Sequence, residues 1–371
     1  MDNLKHLEHG VKAAVFGACA WFLKRGQKEF KPLDGRALHR VLFLRPEKIG
    51  DMVISLPVFD GLHTAFPHIQ QSILGSPRNK ALIGEDKRFA RVFMYRKNLW
   101  KDIKEVRAMR REKFDCVVDM ICDDSVTALF LSQLCAPGKP RIGVGKVRFR
   151  QYYDFNYDHR MGNTGHIIQN TLALLTAFGI DPETVNPYAP PAVPKRAMES
   201  AQSTLDSIRQ VTEGKRVIGY NLSAGSPTRL WSSEKSSELV KRILGDFPDA
   251  TVLLICTPSD RPRAIEVQHS AGQRAAVVPD RLSLLEVSAI LSKLDLLISP
   301  DTSLIHIARA FHVPVVGLYS RFMKNFLLWR PYGQDHGAVL SGNDHNIHDI
   351  SVDQVLVALH EVIAEMYAEK Q

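Results

Sequence analysis

No apolar run in the chain approaches the roughly 20 residues that cross a bilayer as a helix, so a membrane-spanning helix is excluded. Cysteine is scarce. The five present, Cys19, Cys116, Cys122, Cys135 and Cys256, are odd in number and form no Cys-x-x-Cys pair, which argues against a disulfide framework or a zinc cluster. They read as reduced thiols of a cytoplasmic protein. Low-complexity tracts and internal repeats are also missing, which excludes a solenoid. What remains is an ordinary globular composition spread over 371 residues, more than one hydrophobic core usually serves, and two domains are therefore expected.

The formal net charge of +8 calls for acidic partners: nucleic acid, anionic lipid or a phosphorylated glycan. Half of that excess precedes residue 41, where eight Lys and Arg face Asp2, Glu8, Glu29 and Asp34. Within this segment an apolar run ends in Trp21-Phe22-Leu23 and is followed by Lys24, Arg25 and Lys28. A secretory signal carries its basic residues before the apolar run, so that reading fails. Two others stand level: an interfacial helix on an anionic leaflet, or a helix packed on the protein or on a second copy.

From residue 41 onward strands alternate with helices. Strands are expected at 41–44, 72–75, 92–95, 114–122 and 141–144, with helices at 50–65, 100–113, 125–135 and 166–178. Four prolines within 186–194 mark the approach to a linker, because proline continues neither a helix nor a central strand. Beyond it the alternation resumes, with strands at 216–222, 251–256, 294–299 and 315–319 and helices at 233–244, 263–273, 284–293, 304–311 and 352–368. Two doubly wound domains follow, and open parallel sheets bind ligands at the carboxyl ends of their strands.

One such end is Ser299-Pro300-Asp301-Thr302-Ser303-Leu304-Ile305-His306. Pro300 ends the strand, three residues of the capping type follow, and Leu304, Ile307, Ala308 and Phe311 then repeat at helical spacing. The unpartnered amides of a helix start favour an anion such as a diphosphate, although an ordinary capped turn uses the same residues. A second strand, loop and helix lies upstream in Leu44-Arg45-Pro46-Glu47-Lys48-Ile49-Gly50-Asp51.

Together, the Arg-x-x-x-x-Gly-Asp turn, the late Asp-Thr-x-x-x-His helix start with Pro314-Val315-Val316-Gly317-Leu318-Tyr319 after it, and Arg229-Leu230-Trp231 resemble glycosyltransferase family 9. These are the lipopolysaccharide heptosyltransferases. The resemblance runs from about Arg40 to the C-terminus and implies a GT-B fold, two Rossmann-like α/β domains facing a central cleft. On that basis residues 1–39 form an amphipathic, basic segment, 40–193 an acceptor-side domain and 194–345 a donor-binding domain. Residues 346–371 form a helix packing back on the first domain. The resemblance also implies inverting transfer of a heptose, with ADP-heptose as the expected donor, to a lipopolysaccharide inner-core acceptor on the cytoplasmic face of the inner membrane. Neither metal nor cofactor is expected, and nucleic acid is not an expected partner.

Residue by residue, the family position of the general base falls on Asp51, for which a cap at a helix start is the plainer reading. The donor would be held by Ser223, Gly225, Ser226 and Arg229, by Asp260, and by Asp301, Thr302, Ser303 and His306. Arg229 replaces the family's usual Lys and Ser303 its frequent Gly. The acceptor's acidic groups would meet Lys48 and the basic run Lys139, Arg141, Lys146, Arg148 and Arg150. That run spans a stretch without acid between Asp124 and Asp154 and is interleaved with Phe149, Tyr152 and Tyr153. Two other readings stand beside transfer: a nucleotide-sugar epimerase or hydrolase of the same fold, and a non-catalytic basic module for nucleic acid or anionic lipid.

Overall fold

The computed structural model describes residues 31–122, 124–158, 165–212 and 214–368. The apolar and basic run at residues 11–28, and with it the expected membrane tether, lies outside the described residues. The chain forms two compact units that divide between Pro187 and Tyr188, inside the proline-rich stretch.

In the first unit, six parallel strands are β1 (Arg40–Leu44), β2 (Gln70–Gly75), β3 (Arg91–Met94), β4 (Cys116–Asp119), β5 (Arg141–Val144) and β6 (Phe155–Tyr157). Their order is β3-β2-β1-β4-β5-β6. The second unit repeats the plan with β7 (Arg216–Asn221), β8 (Ala250–Ile255), β9 (Ala275–Val277), β10 (Leu296–Pro300), β11 (Val315–Tyr319) and β12 (Ala338–Leu340). Here the order is β12-β11-β10-β7-β8-β9. Helices cover both faces, so the central strands are buried on both sides and read as continuous apolar runs such as Val41-Leu42-Phe43-Leu44. In each sheet the strand order reverses next to the first strand, between β1 and β4 and between β7 and β10. In open parallel sheets, loops leave such points in opposite directions, and ligands bind in the crevice they make at the carboxyl edge.

The expected alternation is present, with local differences that have physical causes. The helix expected over 50–65 is two helices, Ile49–Val53 and Leu56–Ala65, because Pro57 has no amide hydrogen to continue the first into the second. The helix expected at 166–178 becomes Ile167–Leu172 followed by a tighter turn, Ala173–Phe178. Three strands of three residues, β6, β9 and β12, close sheet edges and are too short for alternation to announce them. The helices Lys195–Thr212 and Met323–Trp329 were not among the expected elements.

The last helix, Val352–Ala368, requires a correction. Val355, Leu359 and Val362 form one stripe and share an apolar cluster with Ile243 of the Ser233–Asp246 helix and Leu318 of β11. Its buried face therefore belongs to the second unit's core, not to the first domain. Leu359 is fully buried whereas Val357 is 59% exposed, so the two separate packing from helix propensity. Leu359→Ala should cost about 2–5 kcal/mol in denaturant titration, and Val357→Ala within about 0.5 kcal/mol. Similar small losses at both positions would refute this packing.

Candidate functional site

At the carboxyl edge of the first sheet the residue after β1 is Arg45, an arginine with no exposed surface. A buried guanidinium needs acceptors, and the adjoining loops supply them. Its Nε donates to the Asp51 carbonyl at 3.0 Å, and Nη1 donates to the Glu47 carboxylate at 2.6 Å and to the carbonyl of Met120, just past β4. Burial opposes its charge, but Glu47 and Asp51 outweigh that and hold the guanidinium above its usual range. Burial also pushes the Glu47 carboxyl up, against the pull of Arg45.

Asp51 sits at the third position of the Ile49–Val53 helix. One carboxylate oxygen accepts the Lys48 amide at 3.2 Å, and the other lies 3.6 Å from Nη2 of Arg45. The plain reading of Asp51 as a cap is thus realised, yet its side chain keeps 17% exposure at the strand-order reversal. A carboxylate so placed is oriented from two sides and still reachable.

Beside it lies a second buried pair. Lys146 Nζ is 2.8 Å from Asp119, the last residue of β4, and both side chains are fully buried. Lys146 also donates to the Ile121 carbonyl at 2.6 Å, and the Tyr153 hydroxyl donates to Asp119 at 2.5 Å. Burial, then the adjacent Asp119, push that hydroxyl well above its usual range. The expected acceptor run is corrected here. Lys146 and Arg141 are buried, so an acceptor cannot reach them without opening the fold, whereas Lys48, Arg148 and Arg150 are exposed. Arg148 lies 3.6 Å from Asp124, whose carboxylate accepts the amides of Val147, Arg148 and Phe149.

In the second unit a cavity of about 400 Å³ opens at the carboxyl ends of β7, β8 and β10. Of the residues expected to hold a donor, Ser223, Gly225, Thr302 and Ser303 line it. Its framework is Asn221, a buried residue that sequence reasoning missed. Asn221 Nδ2 donates to Ser299 at 3.0 Å and to Thr302 at 3.2 Å, and its Oδ1 accepts the Ser223 amide at 3.0 Å. Two loops are tied by one side chain. The tie takes the Thr302 hydroxyl away from the helix it precedes, leaving the start of the Ser303–Ala310 helix without a side-chain cap. The one signal in the sequence was a polar residue ending an apolar strand.

Asp260 does not cap the following helix either. Its Oδ2 accepts from Ser223 at 2.5 Å and from Thr257 at 2.8 Å, binding the β7 and β8 loops together. Arg229 donates to the Asp301 carbonyl at 2.9 Å and pairs with its carboxylate at 3.0 Å, and neither residue lines the cavity. Ser226 caps the short turn Pro227–Arg229. His306, expected to face a diphosphate, is instead buried edge-on against Trp329 at 5.4 Å, a correction that follows from the apolar surroundings of its helix. The cations in the cavity wall are Arg261 and Arg281, and Leu282, Val287 and Cys256 supply apolar surface; none of these had a sequence signal.

Comparison with known proteins agrees with this layout. Glycosyltransferase family 9 (heptosyltransferase) matches over residues 103–356. The lipopolysaccharide core heptosyltransferase OpsX of Haemophilus influenzae is 22% identical over 297 residues, which cover 78% of this chain and 81% of that protein. The structure of the family 9 glycosyl transferase from Veillonella parvula aligns with a TM-score of 0.76 at 18% identity, covering 91% of this chain and all of that one. E. coli heptosyltransferase WaaC with ADP aligns at 0.64, with 18% identity over 88% of this chain and 98% of its own. Two six-stranded parallel sheets covered by helices match the GT-B heptosyltransferase structures, and the chain belongs to glycosyltransferase family 9.

Proposed function

We propose that this protein is an inverting glycosyltransferase that moves a heptose from a nucleotide diphosphate donor, ADP-heptose, to a lipopolysaccharide inner-core acceptor. The observation that carries the reading is the second-unit cavity, of a size suited to a small ligand, with an uncapped helix start in its wall. The first-turn amides of Ser303 and Leu304 suit a diphosphate, Arg261 and Arg281 add positive charge, and Leu282 and Val287 offer an apolar seat for a base. Arg229 would reach the diphosphate by exchanging Asp301 for it, since the exchange keeps a charge-assisted hydrogen bond. E. coli heptosyltransferase WaaC, which shares this fold, has been solved with ADP and with ADP-2-deoxy-2-fluoro heptose.

In this reading Asp51 takes the proton of the acceptor hydroxyl as the oxygen attacks the anomeric carbon, on the face opposite the departing diphosphate. The new bond to the acceptor oxygen forms as the bond to the diphosphate oxygen breaks, and the helix amides receive the developing charge. No metal has a role in this reading. Lys48, Arg148 and Arg150 are the cations placed to meet acidic groups of the acceptor, and the enzyme works at the cytoplasmic face of the inner membrane.

Three outcomes are expected. Asp51→Asn keeps a capping oxygen but takes no proton, so kcat should fall by about 10²- to 10⁴-fold with donor affinity near wild type; near-normal turnover would remove Asp51 as the base. A Cβ added at Gly225 would meet no atom within 4 Å beyond its two chain neighbours, so Gly225→Val should leave the melting temperature unchanged. It should nevertheless weaken ADP binding by about tenfold or more in calorimetry if a ligand occupies that space, and unchanged affinity would separate the cavity from the donor. In a thermal-shift panel, ADP at about 100 times its dissociation constant should stabilise the protein by roughly 2.7 kcal/mol, and a larger response to UDP, GDP or CDP would reassign the base. Donor breakdown at full rate without acceptor would instead support a hydrolase or epimerase.

A further inference from the structure

The helix Leu99–Arg111, which connects edge strand β3 to β4, has two dissimilar faces. Inwardly, Met109 is fully buried among Phe114, Leu131 and Cys135, with Val106 packed beside them. The acidic groups of this region are all engaged. Asp102 accepts the amides of Arg96 and Asn98 at 2.8 Å each, Glu105 pairs with Arg96 at 2.7 Å, and Glu112 lies 3.5 Å from Arg91. Outwardly, Lys101, Lys104, Arg107 and Arg111 are exposed, and among the described residues no ion pair engages any of them. Trp100, Lys104, Arg107 and Arg111 recur at helical spacing and so share one face. At the start of that row Leu99 is 70% exposed and Trp100 76% exposed, two large apolar side chains left uncovered among the described residues.

We propose that this face is a docking surface for an anionic phospholipid bilayer, with Leu99 and Trp100 entering the headgroup boundary and the row of cations lying along the phosphates. The choice of partner rests on the proposed work at a lipid-borne glycan, and the surface itself rests on charge and exposure. Indole at an interface and unpaired cations above anionic headgroups are each favourable, and here one rigid helix presents both. A nucleic acid would satisfy the cations and leave Leu99 in water.

The test uses the full chain and vesicles of phosphatidylglycerol and phosphatidylethanolamine, against phosphatidylcholine alone. The chain should bind the anionic vesicles, and the triple variant Lys101→Gln, Lys104→Gln, Arg107→Gln should partition roughly a hundredfold less, at about fivefold per cation. Brominated acyl chains should quench tryptophan emission, and Trp100→Phe should remove most of that quenching, which distinguishes this surface from any membrane contact made by residues 1–30. Each variant should keep the wild-type melting temperature, as expected for exposed positions. Three results would overturn the proposal: no vesicle binding, unchanged partition of the triple variant, or cation-dependent binding of duplex nucleic acid in place of vesicles. The vesicle assay contains neither donor nor acceptor, so a failure of the proposed sugar transfer leaves its result intact.

Discussion

Arg45 places a full positive charge where no solvent reaches it, and the carboxyl edge of the first sheet is arranged around that charge. An uncompensated ion in such a place costs several kcal/mol, so its acceptors are structural necessities. They come from the loop after β4, from Glu47 and from the first helical turn, through both the carbonyl and the carboxylate of Asp51. Arg45 thereby fixes the strand-order reversal and the direction of Asp51 together. The residue proposed for chemistry is held by the same guanidinium that closes the fold.

The second unit solves the corresponding problem with a neutral group. Asn221 joins the loops after β7 and β10 through its amide, and Ser223, Thr257 and Asp260 extend the tie to β8. Asn221, being neutral, needs less compensation on burial than an ion would, and it adds no charge of its own against the helix start at Ser303. The anion-attracting end of that helix is left open because the residue in front of it, Thr302, is committed sideways. The proposed base thus lies beside a charged anchor, and the proposed donor cavity beside an amide.

Two basic stretches of the first unit show why a run of cations does not by itself define a surface. In 139–150, the strand and turn that follow it carry Arg141 and Lys146 inward, where Asp119 and the Ile121 carbonyl hold Lys146. Along 99–111, helical spacing keeps Lys104, Arg107 and Arg111 on one outer stripe while Asp102 and Glu105 turn toward Arg96 and the preceding amides. The first run is partly dismantled into core, and the second survives as a face. Period and partners decide the difference, not the count of charges.

The sequence alone determined the α/β class, the division near 186–194, most strands and helices, and the turns around Asp51 and Thr302. These are local properties: apolar runs fit for burial, proline that stops a strand, and capping residues ahead of helical spacing. It also carried the family likeness through short motifs whose residues lie close together in the chain. Only the tertiary structure decided that Arg45, Asp119 and Tyr153 are buried at the carboxyl edge with Glu47 half-buried against Arg45, that Asn221 frames the cavity, and that His306, Arg141 and Lys146 are buried. The same holds for the last helix, whose apolar stripe fits either unit on paper and packs in the second. Such outcomes depend on which distant groups meet at the ends of parallel strands, and the burial that selects a charged or polar residue's partner exists only once the sheet has closed.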